Sequence, residues 1–194
     1  MKNNPLVNVL GHVNKSPEQS ARKLTRKFGT NTQIYESDML ALSDALEGDN
    51  ATALYIKLVC AIVSRRGCDL FKFGKKYTDE DIEKYLVFLC FGLSVETVYV
   101  LPVKAGKIVA CERAGEGTVN TSSILPRKLL EIAKRHGADS VIISHNHPRG
   151  YAIPSEDDKS ATRILNEFFV SSGIKLLAHY VVSGVSCRKI DFGM

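Results

Sequence analysis

The sequence reads as an α+β protein in two parts, a small all-α module over residues 1–76 and a mixed sheet flanked by helices over residues 77–194. Three patterns lead to this. Short apolar stripes of helical period, punctuated by glycines, occupy the first part. Beyond residue 78, β-branched runs alternate with amphipathic helical stretches, the pattern of an α/β or α+β unit. The charge divides at the same place. Residues 1–76 carry 12 Lys and Arg against 7 Asp and Glu, whereas residues 77–194 carry 14 of each, so the whole excess of +5 lies in the first part.

Taken in order, residues 1–16, with scattered Asn, Gly, Pro and Lys, read as an irregular lead-in. A helix starts at Ser16-Pro17, with Ser16 as N-cap and Pro17 at the first helical position, and stops at Gly29. A second helix begins near Ser37, with Met39, Leu40, Leu42 and Leu46 on one stripe, and ends at Gly48. A third covers Ala51 to Arg66, and residues 69–78 (DLFKFGKKYT) read as a linker. Asp79 to Leu89 is expected to be a helix. Glu96 to Val103 should form a strand, with Gly106 to Cys111 as its partner across a Lys-Ala-Gly turn. Pro126 to His136 is an amphipathic helix closed by Gly137, and Ser140 to Ser144 is a short buried strand. Ser155 to Ser172 is a helix that stops at Gly173; Ile174 to Val182 and Ser186 to Ile190 finish the chain as strands around Gly184.

Apolar residues make up 44% of the 194, enough for a packed core, and charged residues 24%, the share of an ordinary soluble protein. No apolar run approaches the roughly 20 residues that cross a bilayer, and the first 19 residues lack the apolar stretch of a secretory signal. A cytoplasmic location with no membrane contact is the expectation. The five cysteines are odd in number and include no C-x-x-C pair, which argues against a disulfide framework or a cysteine metal site. Cys60, Cys90 and Cys111 read as small buried hydrophobes.

The chemistry is concentrated in SHNHPRGYAIPSEDD, Ser144 to Asp158. His145 and His147 stand two apart at a strand end, so both imidazoles point to one side. Pro148 and Gly150 turn the chain, and Pro154-Ser155 restarts it as a helix with Ser155 as N-cap. Asp158 then falls in the first turn, where the helix dipole favours a carboxylate. Two His and one carboxylate leave a fourth position of a zinc ion open to water, the mark of a catalytic rather than a structural site. Glu96, at the start of an apolar strand, is the candidate general acid–base, since half-burial there favours its neutral form. Ser155 could donate to a developing oxyanion. Glu112 and Glu116 compete with Glu96 on sequence proximity, and Asp157 with Asp158. His179 reads as structural, with a supporting role beside the metal site as the alternative, and His12 and His136 as surface residues.

The spacing of His145-Asn146-His147, seven residues, then Ser155-Glu156-Asp157-Asp158, resembles the JAMM (MPN+) metallopeptidase motif. More narrowly, residues 115–150 (GEGTVNTSSILPRKLLEIAKRHGADSVIISHNHPRG) and SVETVYV at 94–100 resemble the RadC-like family of bacterial proteins. The resemblance covers about residues 78–191. It implies a JAB/MPN fold, similar to that of cytidine deaminases, with His145, His147 and Asp158 as zinc ligands, Glu96 as the catalytic Glu and Ser155 as the oxyanion helper. It also implies a helix-hairpin-helix-like module before that domain; Glu47-Gly48-Asp49-Asn50 stands where the family's phosphate-gripping glycines would be. Arg149 and Ala178 also depart from the family pattern, which more often has Ser and Asp there. The reading is a zinc-dependent hydrolase of a peptide or isopeptide bond. The alternative is a nucleic-acid-associated protein that touches DNA through its basic first part. A third possibility is a binding module that keeps the metal without turnover. Substrate identity and oligomeric state are left open.

Overall fold

The described residues of the computed structural model, 5–117 and 124–192 without the side chains of Ile124 and Leu125, form eight helices and six strands. In order these are α1 Pro5–Leu10, α2 Pro17–Phe28, α3 Asn31–Tyr35, α4 Met39–Ala45, α5 Asn50–Asp69 and α6 Asp79–Cys90. There follow β1 Thr97–Lys104, β2 Lys107–Ile108, β3 Glu112–Glu116, α7 Ile124–Arg135, β4 Ser140–Asn146, α8 Glu156–Ser171, β5 Lys175–Ser183 and β6 Ser186–Lys189. The α+β class expected from the sequence is the class observed. No helix among the described residues is long and apolar enough to cross a membrane.

The strands make one mixed sheet in the order β2-β1-β4-β5-β6, with β3 pairing the first half of β1. β4 runs antiparallel to β1 and parallel to β5. A parallel neighbour needs a crossover connection, and the loop after β4 together with α8 supplies it. Side-chain alternation sorts the sheet into two faces. Val98, Val100, Val141, Ile143 and Leu176 pack with α7 and α8 on one face. Leu101, Val103, Ile142, Ala178, Tyr180 and Val182 pack with α6 on the other. The register shift between Val141 and Ile142 changes the phase of β5, so that His179 and Val181 fall on the α8 side.

Helices α1 to α5 enclose a further core of Leu6, Leu10, Leu24, Ile34, Leu42 and Ile56, and Phe91 packs against it from the chain just after α6. Several details differ from the sequence expectation. The lead-in contains α1, because Leu6 and Leu10 at i, i+4 share one buried face. Ser16 makes no side-chain cap to α2; its own amide is instead held by the Asn14 side chain. α3 is an additional short helix, fixed by a capping box between Thr30 and Gln33. α4 begins after Asp38 as N-cap, and the expected stripe breaks at Leu40, which is 80% exposed while Leu42 is enclosed. The expected linker at 69–78 is packed: Phe71 is buried and stacks on Tyr77 and Tyr85 at ring separations of 4.0 and 4.2 Å, and Lys75 bridges to Ile108. Of the expected strand at 106–111 only Lys107–Ile108 forms, as β2, and β3 begins beyond it as an additional strand; both pair with β1.

The acidic turn Glu47–Asn50 is a capping device. Asp49 accepts from the Thr52 amide at 3.0 Å to start α5, and the side chain of Asn14 also donates to it. Lys23 pairs with Glu47, Lys27 with Asp44 and Arg65 with Asp69.

Candidate metal centre

The site lies at the carboxyl end of β4, where the crossover toward α8 begins. Val141 and Ile143 point into the α8-side core, and His145 continues that alternation, fully buried. β4 ends one residue later at Asn146, whose side chain reaches the start of β1. Its Oδ1 accepts from the Thr97 amide at 2.9 Å and its Nδ2 donates to the Val95 carbonyl at 3.2 Å. Asn146 thus grips the backbone on both sides of Glu96. The amide of His147 donates to Val182 of β5 at 2.8 Å, after which the chain turns through Pro148–Gly150. It enters α8 with Ser155 as N-cap and Asp158 as the reciprocal capping-box acid. Ser155 Oγ accepts from the Asp158 amide at 3.0 Å and donates to Asp158 Oδ2 at 2.6 Å. The cap therefore fixes the carboxylate that faces the histidines.

The structure brings together all five residues singled out in the sequence. His145 Nε2 and His147 Nε2 are 3.0 Å apart. Asp158 Oδ1 is 3.1 Å from His145 Nε2, and Asp158 Oδ2 is 3.4 Å from His147 Nε2. Ligand atoms of Glu96, His145 and His147 lie within 4.8 Å of one another. Ser155 sits at the rim, bonded to Asp158.

Hydrogen bonds around the rings decide which nitrogens carry protons. The Thr162 hydroxyl has one proton, and the Asp158 carbonyl, which can only accept, takes it at 2.5 Å. The contact of 2.7 Å between Thr162 Oγ1 and His179 Nδ1 is then donated by His179. A neutral His179 has a bare Nε2, which accepts at 2.9 Å from His145 Nδ1. Burial holds His179 well below the ordinary histidine range, so neutral is its resting form. His145 Nε2 is left without a proton. His147 Nδ1 faces the Tyr151 carbonyl at 3.2 Å and must donate to it, so His147 Nε2 is bare in the neutral ring. Two lone pairs and a carboxylate thus point at one spot. Such a donor set repels itself unless a cation or a proton joins it. The observed separations are close to the roughly 3.4 Å edge of a tetrahedron of N and O ligands about 2.1 Å from a zinc-sized ion. The residues present therefore fit a divalent metal.

The two carboxyl groups are pushed apart. Burial opposes the charge on Asp158, but the bonds His145 and His147 give it once a proton joins their Nε2 atoms, with those from Ser155, together overcome it and hold that carboxyl far below the usual range. Burial raises the carboxyl of Glu96, although the two histidines pull the other way. The hydrogen bond to Asp158 raises His147.

The competitors in sequence lie elsewhere. Glu112 pairs with Arg135 and with the part-exposed His136. Glu116 pairs with Arg113, and Asp157 is exposed on α8. Burial raises all five thiols, Cys111 and Cys187 to about 12, so none is an activated nucleophile. Asn146 and Thr162 are not singled out by the sequence, whereas for His179 a supporting role beside the metal site is the alternative to a structural one. Asn146 lies inside the His-x-His motif. Thr162 carries a weaker signal, its i, i+4 position one turn after Asp158, and the partners of His179 depend on the strand register.

Residues 77–190 match the family model described as the RadC-like JAB domain. Residues 118–123, which include the Thr of the quoted Gly-Thr segment, lie outside the described residues. The chain is also similar to proteins named UPF0758 protein. That of Janthinobacterium sp. (strain Marseille) is 30% identical over 178 residues, covering 90% of this chain and 79% of the relative. That of Nitrosococcus oceani is 31% identical over 176 residues, covering 89% and 78%. That of Chromobacterium violaceum is 29% identical over 167 residues, covering 84% and 74%.

Proposed function

The chain belongs to the RadC-like JAB domain family, and on that premise we propose that it is a zinc-dependent hydrolase that cuts an amide bond of a peptide or protein. The observation that carries this reading is the convergence of the Nε2 atoms of His145 and His147 and the Asp158 carboxylate, with the Glu96 carboxyl group beside the two imidazoles. His145, His147 and Asp158 would hold the ion; two imidazoles and one carboxylate suit zinc and leave coordination open. Bound there, the metal supplies Lewis acidity that polarises an amide carbonyl and acidifies water.

The chain's own residues do the rest. The Glu96 carboxylate accepts a proton from the water that adds to the carbonyl carbon. It returns that proton to the nitrogen as the C–N bond breaks, so one group serves as base and then acid. Its upward shift by burial suits both directions of transfer. Asn146 holds Glu96 by the peptide groups on either side. The Ser155 hydroxyl is exposed and donates to Asp158; a substrate oxygen that gains negative charge competes for the same proton and draws it over.

The test is Glu96→Gln, assayed for zinc content and for cleavage of a mixed peptide library. The expected variant keeps about one zinc per chain and loses turnover by about 10²-fold to 10⁴-fold. Unchanged turnover would remove Glu96 from the reaction. Contact with DNA through residues 1–76 is the second reading. The charge excess favours it, whereas the capping role of Asp49 and the pairing of Lys23, Lys27 and Arg65 weigh against it. Absence of a gel shift at low salt would end that reading.

A further inference from the structure

We propose that Glu36, at the α3–α4 corner of the helical part, is a positioning residue for the metal centre, because its carboxylate holds the loop that carries His147. Glu36 is only 5% exposed, far from the sequence motif, and it makes two long-range hydrogen bonds to main-chain amides. Oε2 accepts from the Arg149 amide at 2.5 Å and Oε1 from the Gly184 amide at 2.9 Å. One side chain thereby ties the turn after His147 to the β5–β6 turn.

The grip matters because, among the described residues, few other hydrogen bonds hold the turn. Arg149 has φ 59°, a left-handed conformation that a non-glycine residue keeps only where its surroundings enforce it. The other ties are the bond from Gly150 to the His147 carbonyl and the bond from the Ser183 hydroxyl to the Gly150 carbonyl. Two residues further on, the Tyr151 carbonyl receives the His147 Nδ1 proton and so sets the direction of the imidazole. A shift of the turn rotates that ring. The corner that delivers Glu36 is itself fixed: Lys57 of α5 donates to the carbonyls of Tyr35, Ser37 and Gly92 at 2.9, 3.0 and 2.6 Å. Beside it, Thr32 lies so close to Gly184 that an added Cβ would meet its methyl at 2.6 Å. The helical part is thus a component of the metal site as well as its neighbour. Glu36 has this role only if His147 holds a metal, as proposed above.

The experiment is a Co²⁺ titration of the full chain, freed of metal, followed by the visible ligand-field band, with urea unfolding of the metal-free forms alongside. Wild type should bind one equivalent. Glu36→Gln should bind about 10-fold to 100-fold more weakly, with a changed band, because the Gln amide cannot accept both main-chain bonds in the same way. A Glu36→Gln variant that binds Co²⁺ with wild-type affinity and spectrum, whatever its urea midpoint, would overturn the proposal and leave the metal site standing. A wild type that takes up no Co²⁺ would overturn both. If Glu36→Gln does not fold, Gly184→Ala asks the same question by steric displacement. It should weaken Co²⁺ binding, and the double variant Thr32→Ala/Gly184→Ala should recover part of the loss. Wild-type Co²⁺ affinity in Gly184→Ala contradicts the proposal.

Discussion

The two histidines of the site are two residues apart in sequence and are held in opposite ways. His145 belongs to a central strand, fully buried, with its tautomer set by a chain through His179 and Thr162. The His147 side chain is 24% exposed, sits in a turn, and takes its orientation from a loop carbonyl. The first is fixed by the sheet, the second by a loop that the helical part braces. The difference teaches that a motif can fix which side chains meet while leaving to distant residues how firmly each is held.

Substitution of either histidine gives the largest expected effect and separates the two. Both His145→Ala and His147→Ala should reduce bound metal from about one ion per chain to less than about a tenth, measured by elemental analysis without chelator. Only His145→Ala should also unfold the metal-free protein more easily, by roughly 3 kcal/mol for a large buried side chain. His147→Ala should cost less than about 1 kcal/mol. Equal losses would mean that the sheet does not hold His145 in the way described.

Much of this arrangement is legible in the sequence, for physical reasons that can be named. The strand period places His145 on the α8 side, and the capping rule places Asp158 in the first turn of α8, so the meeting of these side chains follows from local pattern. The helices with clear stops, α2 at Gly29 and α7 at Gly137, follow likewise. What escapes is set by tertiary register. His179 reaches His145 only because β5 is shifted in phase by the irregularity opposite Val141 and Ile142. Leu40 looks apolar and inward on a helical stripe, yet it stands about 200° round the helix from the enclosed Leu42 and faces out. Phe71 sits in a stretch with turn-like composition and is nevertheless core, because Tyr77 and, from α6, Tyr85 stack on its ring.

The next effect sharpens the His145 side. Thr162→Val keeps the shape but removes the hydroxyl that accepts from His179. His179 is then free to take the other tautomer, and His145 loses the partner that keeps its Nε2 bare. Metal affinity should fall by about 10-fold to 100-fold, read by competition with a chromogenic chelator. Unchanged affinity would break the chain from Thr162 to the metal.

A smaller effect concerns acid stability of the metal-free protein. The Asp158 carboxyl is held lower in the folded chain than its ordinary value of about 3.9. Its contribution to stability is therefore complete above that pH and is lost as the pH falls below it toward the depressed folded value. Urea midpoints measured from pH 5 downward should decline in wild type and decline less steeply in Asp158→Asn. Parallel curves would mean that Asp158 gains nothing from the histidines. Smallest of all, Ser155→Ala should cost about 1 kcal/mol of stability through the lost α8 cap, seen as a lower urea midpoint in both the metal-free and the loaded protein.

X-ray absorption at the zinc edge, on full-length chain loaded with one equivalent of zinc, tests most directly whether His145, His147 and Asp158 share one ion. The spectrum expected has nitrogen and oxygen neighbours at about 2.0–2.1 Å, the multiple-scattering pattern of two imidazoles, and no sulfur. Sulfur bound to the zinc, or fewer than two imidazoles, would contradict it.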